Sequence, residues 1–151
     1  MTSGPGFWPS SGVGRLRHTA RVARRVERPE VPATHLTSLR AILSRLPQCL
    51  EESTWTGVRW RIGQATVAHV FGGEDQLIRV TFRAEPDEVI AFQHLGGPYF
   101  RAGWGGNVVG LILGDDTDWV EVRELLTDSY CLQAPSRLAD AVDRPGPRGP
   151  G

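Results

Sequence analysis

The residues that decide the fold class of this chain are 58–71, which read VRWRIGQATVAHVF. The first half alternates apolar and basic side chains: Val58, Arg59, Trp60, Arg61 and Ile62. Gly63-Gln64 then offers a turn, and Thr66–Phe71 is typical of a returning strand. Alternation with a period of two places successive side chains on opposite faces of a sheet. Two such runs joined by a short turn predict an antiparallel hairpin.

The segments on either side add more strands and several helices. Upstream, leucines at helical spacing predict a helix that Thr34 caps and Pro47 ends. Downstream, the pattern predicts a strand over 76–82, a helix from Pro86 to Gly96-Gly97, strands over 99–104 and 108–113, a helix from Asp118 to Pro135 and a further turn within 136–141. This order, α-β(3)-α-β(2)-α, predicts a single α+β domain whose antiparallel sheet carries its helices on one face.

Formal charge divides the chain into three segments. The whole chain has 17 arginines, no lysine and 17 acidic residues, so its net charge is zero. Residues 1–33 carry +4 and are Gly/Pro/Ser-rich at their start, which predicts a disordered arginine-rich arm. Residues 34–138 form the predicted domain and carry −4. Residues 139–151 are neutral and Gly/Pro-rich, which predicts a disordered tail.

Composition excludes several classes of protein. Overall neutrality excludes the uniformly basic, histone-like mode of nucleic-acid binding. No apolar run approaches the roughly 18 residues of a membrane span. Cys49 and Cys131 are too few for a disulfide scaffold and favour two buried thiols, with a disulfide as the alternative. Without a signal peptide the sequence predicts a cytoplasmic protein with no membrane partner.

Several short motifs occur in an order that resembles the MmcQ/YjbR family. The matching residues in the first half are Leu46-Pro47, Glu51-Glu52, Trp55, Trp60-Arg61-Ile62 and Ala68-His69. Those in the second half are Pro86, Pro98-Tyr99-Phe100, Trp104, Gly110-Leu111, Asp118-Trp119, and Ser129-Tyr130 followed by Ala134-Pro135. The last motif, Ser-Tyr-x-Leu-x-Ala-Pro, is the most specific, and together the motifs cover about residues 36–138.

The resemblance implies a bacterial, cytoplasmic domain of the order α-β(3)-α-β(2)-α, with the strand and helix order of small secretion-chaperone-like domains. It also implies DNA binding, because the family's paired hairpins resemble a double-wing arrangement. The chain departs from the family pattern twice. Gln64-Ala65 stands where the family has a glycine-lysine pair, and Val108 where it has a tryptophan. Loss of the lysine removes a phosphate contact from one wing tip.

Arginines within the strands are the main candidates for binding. Alternation puts Arg59, Arg61, Arg79 and Arg83 on one outer face of the sheet, where their guanidinium groups can bind phosphates. The alternative is a solvated face whose charges deter aggregation. Arg101 is a further candidate phosphate contact. Trp104, among Gly103, Gly105 and Gly106, is the candidate for stacking on a base, whereas spacing predicts Trp55, Trp60 and Trp119 for the core.

Nothing in the sequence assembles a catalytic or metal site. Acidic residues cluster at turns, where turn chemistry and helix-start electrostatics explain them. His69 alternates with Val67 and Phe71, which favours a partly buried, hydrogen-bonded role. The sequence therefore predicts a protein that is not an enzyme, without cofactor or metal.

Two functions remain open after this. The first is non-specific, salt-sensitive DNA binding through the sheet face and the hairpin wings. The alternative is a protein-interaction or chaperone-like adaptor, either monomeric or homodimeric, which the acidic balance of residues 34–138 favours.

Overall fold

The strands of the computed structural model, which describes residues 27–142, form one six-stranded antiparallel sheet of order β1-β2-β3-β4-β6-β5. Its strands are β1 (Leu50–Ser53), β2 (Gly57–Ile62), β3 (Ala65–Gly72), β4 (Ile78–Arg83), β5 (Tyr99–Arg101) and β6 (Val108–Leu113). The helices are α1 (Ala33–Leu43), α2 (Pro86–Leu95), α3 (Trp119–Gln133) and α4 (Ser136–Ala139). This confirms the predicted fold class, a single α+β domain with an antiparallel sheet and helices packed on it.

One face of the sheet, called here the inner face, is covered by the described helices. Helix α3 packs on β3 and β4, α2 packs on β5 and β6, and α1 packs on α3. The inner-face side chains are those that alternation assigned to the core, with Trp60, Val80 and Phe82 almost completely buried. Burial of large apolar side chains is the main favourable term in folding, so this face fixes which side of each strand points outward.

Strand β1 was not predicted. Its sequence, Leu50-Glu51-Glu52-Ser53, lacks apolar alternation because β1 lies at the sheet edge and buries little. Glu51 is held instead by a fork of hydrogen bonds from Arg40 of α1, at 3.0 Å from Nε and 2.8 Å from Nη2. The prediction that Thr34 caps α1 is wrong. The helix begins at Ala33 after Pro32, so Thr34 lies inside it.

A β-bulge in β3 forms the main joint between the sheet and helix α3. Trp60 pairs with Ala68 and Arg61 pairs with Thr66, so Val67 is the extra residue. The hydroxyl of Ser129 donates to the Val67 carbonyl at 2.6 Å, and the Gln133 amide donates to the Thr66 carbonyl at 3.0 Å. A bulge disrupts the strand ladder locally. Helix α3 therefore supplies donors to two carbonyl groups at the bulge.

The same helix also contacts β4 and the segment before β1. The Arg83 N–H donates to Ser129 Oγ at 2.9 Å, and the Tyr130 hydroxyl donates to the Pro47 carbonyl at 2.7 Å. Ser129 and Tyr130 are fully buried. The Ser-Tyr motif of the sequence thus joins α3 to three segments that are distant in the chain.

Residues 27–32 lie against the hairpin that joins β3 to β4. The Arg28 guanidinium donates to the Gly72 carbonyl at 3.1 Å, and Gln76 donates to the Glu27 carbonyl at 3.0 Å. At the other end, Val142 packs against the core. The rest of the predicted arm and tail, residues 1–26 and 143–151, lies outside the described residues.

Replacing Ser129 with alanine tests the joint at the bulge. The change leaves the Val67 carbonyl and the Arg83 N–H without their partner in a buried position, which costs about 2 kcal/mol or more. We expect Ser129→Ala to lower the free energy of unfolding by that amount in urea titrations. The control is Ser44→Ala, because the exposed Ser44 hydroxyl bonds only to its own helix at Arg40. A loss no larger than that of the control would contradict this role.

Candidate nucleic-acid interface

Strand pairing decides which of the predicted arginines share a surface. Arg59 lies opposite His69, which lies opposite Thr81, and Phe71 lies opposite Arg79. These residues alternate with the buried core positions, so they lie on the other side of the sheet, called here the outer face. Arg59, Arg61, Arg79 and Arg83 all lie on it, as alternation predicted.

Arg101 is placed differently from the other four candidates. It pairs with Val109, and Val109 pairs with Phe82 on the inner face. Residues directly opposite each other on paired strands share a face. Arg101 is therefore exposed at the inner side of the β5 edge, and the structure does not bring it together with the strand arginines.

Glu52 of β1 binds two of the outer-face arginines. Its carboxylate accepts from Arg59 Nη1 at 2.9 Å and from Arg61 Nε at 2.9 Å. Arg59 Nε also donates to Thr66 Oγ1 at 2.9 Å. The hydrogen bond from Arg61 is the main cause that holds the pKa of Glu52 below its usual value. The one negative charge of Glu52 therefore balances half of the charge of these two guanidinium groups.

Arg79 is held between a carboxylate and two aromatic rings. Its Nη2 pairs with Asp75, and this hydrogen bond is the main cause that lowers the pKa of Asp75. Its guanidinium carbon lies 5.8 Å from the centre of the Phe71 ring and 5.7 Å from that of Phe100. Only 15% of the Arg79 side chain is exposed, which is typical of a cation–π contact within a packed surface.

Arg83 is the outer-face arginine without a carboxylate partner among the described residues. Its guanidinium donates from Nη1 to the neutral Oδ1 of Asn107 at 3.2 Å. Its backbone is fixed by the hydrogen bond to Ser129. A guanidinium has five N–H donors, so Arg83 keeps donors for a ligand as well as an unbalanced charge.

The loop between β5 and β6 presents Trp104 beside these arginines. The indole is 54% exposed, and its ring centre lies 6.3 Å from that of Phe71. Gly105 takes a φ of +98°, which favours glycine, and a Cβ there would lie 3.8 Å from Arg83 Nη1. The left-handed backbone is thus what favours glycine at position 105, because 3.8 Å from Arg83 is an ordinary van der Waals distance.

His69 lies between Arg59 and Thr81 on the outer face. Its Nε2 is 3.1 Å from the hydroxyl oxygen of Thr54, which also accepts from the Gly57 N–H at 2.9 Å. Burial first, and then the neighbouring charge of Arg59, lower the pKa of His69 below 6.5. The imidazole is therefore mainly neutral at pH 7, and it shares a hydrogen bond with the Thr54 hydroxyl.

Two clefts lie on the outer face, one on each side of Trp104. The first, of about 180 Å³, is lined by Arg59, His69, Thr81, Arg83 and Trp104 among others. The second, of about 400 Å³, is a wider groove lined by Arg28, Phe71, Arg79, Phe100 and Trp104 among others. The predicted stacking residue is thus a common wall of two clefts that contain the strand arginines.

Sequence reasoning missed the partners that surround these arginines. Glu52 is set by the register of the unpredicted β1, and Asn107 by the loop before β6. Phe100 lies over Gly110, where an added Cβ would meet its ring within 2.5 Å. A glycine opposite an aromatic residue on adjacent strands was the available signal for that contact.

Other kinds of site receive no support within residues 27–142. This part of the chain has no group of three or more potential metal-binding side chains. None of its helices combines the length and the apolar character needed to cross a membrane. Cys49 and Cys131 are partly buried and form no disulfide in the described part of the chain, and burial raises the pKa of Cys49 to about 11, which makes its thiol a poor nucleophile. The prediction that placed Trp55 in the core is wrong, because its side chain is fully exposed.

The neutral state of His69 predicts a pH dependence of stability. Because its pKa is lower in the folded protein, the unfolded chain binds more protons as the pH falls below 6.5. We expect the free energy of unfolding to decrease from pH 6.5 to about 5, above the range where carboxylates titrate. The slope stays below about 1.4 kcal/mol per pH unit because a single histidine changes the number of bound protons by at most one. In denaturant titrations, His69→Gln should reduce the slope of the unfolding free energy against pH, and the control His94→Gln, at an exposed position, should leave it unchanged. Equal slopes in the two variants would contradict the role of His69.

Comparisons with known proteins support the fold of this chain. Residues of this chain superpose on the crystal structure of Deinococcus radiodurans protein DR2400, described as a DUF419 domain, with a TM-score of 0.55. The two share 17% sequence identity over 64% of this chain and 76% of that one. No family model and no curated protein matches the chain. What this chain is shown to share with DR2400 is the arrangement of its strands and helices.

Proposed function

We propose that this chain is a non-enzymatic DNA-binding protein that binds a single strand on the outer face of its sheet. The observation that carries the proposal is the position of Arg83, a guanidinium without a carboxylate partner in the described residues, beside the exposed Trp104. Single-strand binding proteins combine basic side chains that contact the backbone with aromatic rings on which bases stack. Arg83 supplies the first of these and Trp104 the second.

The distribution of charge favours an anion on this face. Most carboxylates of the domain lie on α2, α3 and the segments that lead into them: Glu85, Asp87, Glu88, Asp115, Asp116, Asp118, Glu121, Glu124 and Asp128. These elements pack on the inner face. An anionic strand is therefore repelled from the inner side and directed to the outer one.

Two hairpin tips flank the end of β4 that carries Arg83. The β2–β3 hairpin closes at the pair Ile62–Ala65, and the β5–β6 loop precedes Val108, which pairs with Arg83. This arrangement is compatible with the paired wings of the MmcQ/YjbR family, to which we assign the chain as part of the proposal. With that assignment come a bacterial source and a cytoplasmic location.

The pairing of Arg59, Arg61 and Arg79 with carboxylates favours a single strand over a duplex. A duplex binder needs several uncompensated phosphate contacts to reach useful affinity. This outer face offers one guanidinium without a carboxylate partner in the described residues and an aromatic platform that a stacked duplex cannot use. Stacking on an aromatic side chain contributes about 1–3 kcal/mol per base.

A titration of labelled single-stranded DNA by fluorescence anisotropy at two salt concentrations tests this function. We expect binding by the full chain that weakens with salt, by about 0.7 log units per tenfold salt for each phosphate contact. Arg83→Gln should weaken binding and remove about one such contact from the slope, and Trp104→Ala should weaken binding with little change in slope.

The matched control is Arg123→Gln, because Arg123 is an exposed arginine of α3 on the other side of the sheet. It should bind as the unaltered chain does. A duplex of the same sequence should bind more weakly. Absence of binding at low salt, or equal losses in Arg83→Gln and Arg123→Gln, would contradict the proposal.

A second candidate, the protein-interaction adaptor, is favoured by the surface around β1. Trp55 is fully exposed in the turn after this edge strand, and Leu50 on the strand is also exposed. Exposed edges with apolar side chains are places where another chain can pair.

Size-exclusion chromatography with light scattering tests the adaptor candidate. We expect a dimer, or a complex with an added partner, that Trp55→Ser converts to a monomer while the DNA affinity is unchanged. The matched control is Trp104→Ser on the outer face, which should keep the assembly. A monomer at all concentrations, with no partner bound, would count against the adaptor.

A further inference from the structure

The smaller cleft on the outer face has the size of a phosphate group rather than of a nucleotide. Its volume is about 180 Å³, whereas pockets that enclose small-molecule ligands have about 300–1,000 Å³. The cleft therefore lies below the size range of pockets that enclose a whole small-molecule ligand, and a small tetrahedral anion fits in it. A nucleoside attached to that anion has to remain outside.

The walls of the cleft carry positive charge and hydrogen-bond donors. Arg83 brings a guanidinium whose one hydrogen bond to the described residues goes to Asn107. Arg59 is oriented by its bonds to Thr66 and Glu52, so its position does not depend on a ligand. His69 lies between the strands that bear the two arginines. The groups that surround an anion here are thus held in place before it binds.

Trp104 connects this cleft to the nucleic-acid interface because it also lines the cleft. A nucleoside whose phosphate enters the cleft lies next to the exposed indole, where its base can stack. An internal phosphodiester has a nucleoside on both sides and carries one negative charge. A terminal phosphate monoester has a nucleoside on one side and carries nearly two charges at pH 7, since its second pKa is about 6.

We propose that this cleft binds the terminal phosphate monoester of a nucleic-acid strand, with the terminal base on Trp104. The inference rests on the proposed function and narrows it to strand ends that carry a phosphate. Arg83 contributes the uncompensated charge, and Arg59 adds a second guanidinium. Within residues 27–142, the single carboxylate that contacts either arginine is Glu52, which is shared with Arg61.

The test compares three forms of one labelled oligonucleotide: with a 5′-phosphate, with a 3′-phosphate, and with hydroxyl groups at both ends. We expect one phosphorylated form to bind the full chain at least about tenfold more tightly than the hydroxyl form, the size expected of added charge-assisted hydrogen bonds. The form that binds more tightly identifies the end. Arg83→Gln should abolish the preference, and Arg123→Gln should retain it.

Inorganic phosphate gives an independent measurement on the same site. At constant ionic strength, it should displace the phosphorylated oligonucleotide more effectively than chloride, and this difference should disappear in Arg83→Gln. Thermal unfolding of each variant identifies any that fails to fold, and Arg83→Lys then provides a variant that keeps the charge. This variant should keep part of the preference.

The outcomes separate this inference from the function on which it rests. Equal binding of all three oligonucleotides overturns the terminal-phosphate site and leaves single-strand binding in place. Absence of binding by every form at low salt overturns both. If Arg83→Gln retains the preference for a phosphorylated end, the phosphate binds to another surface and the proposal that this cleft binds it is overturned.

Discussion

The hydroxyl of Ser129 is the contact on which the outer face depends. It donates to the Val67 carbonyl at the bulge of β3 and accepts from the Arg83 N–H of β4, in a fully buried position. A serine hydroxyl is small enough to be buried in a helix and can donate and accept at once. This one group therefore anchors α3 and also fixes the backbone of the arginine that lacks a carboxylate partner in the described part of the chain.

The bulge itself explains why an irregular strand is retained beside the site. Val67 is inserted between two regular pairs, so Thr66 and His69 both lie on the outer face although they are three positions apart. Under strict alternation, residues three positions apart would lie on opposite faces of the sheet. The local loss of ladder pairing is offset by donors from Ser129 and Gln133.

The sequence predicted those parts of the structure that follow from local periodicity. Alternation over 58–71 indicated the central hairpin and the face of its arginines, and the predicted helix start at Asp118 agrees with α3, which Asp118 caps by accepting from two backbone N–H groups. It did not predict β1, because an exposed edge strand has no apolar period. For the same reason the pairing of Glu52 with Arg59 and Arg61 was not accessible, since it depends on the register of that strand. The sequence could assign each arginine to a face of the sheet. It could not show which guanidinium groups are paired with a carboxylate.

These pairings show what arginine, used throughout this chain in place of lysine, does in the structure. A planar guanidinium can be fixed by several hydrogen bonds at once, as Arg40 is by Glu51 and Arg59 by Glu52 and Thr66. Arginines held in this way serve the fold, so counting them overstates the charge available to a ligand. At Arg83 the neutral side chain of Asn107 occupies the place where the other outer-face arginines, Arg59, Arg61 and Arg79, have a carboxylate. An electrically neutral chain can therefore offer an anion one defined position while Arg59, Arg61 and Arg79 of the same face remain paired with carboxylates.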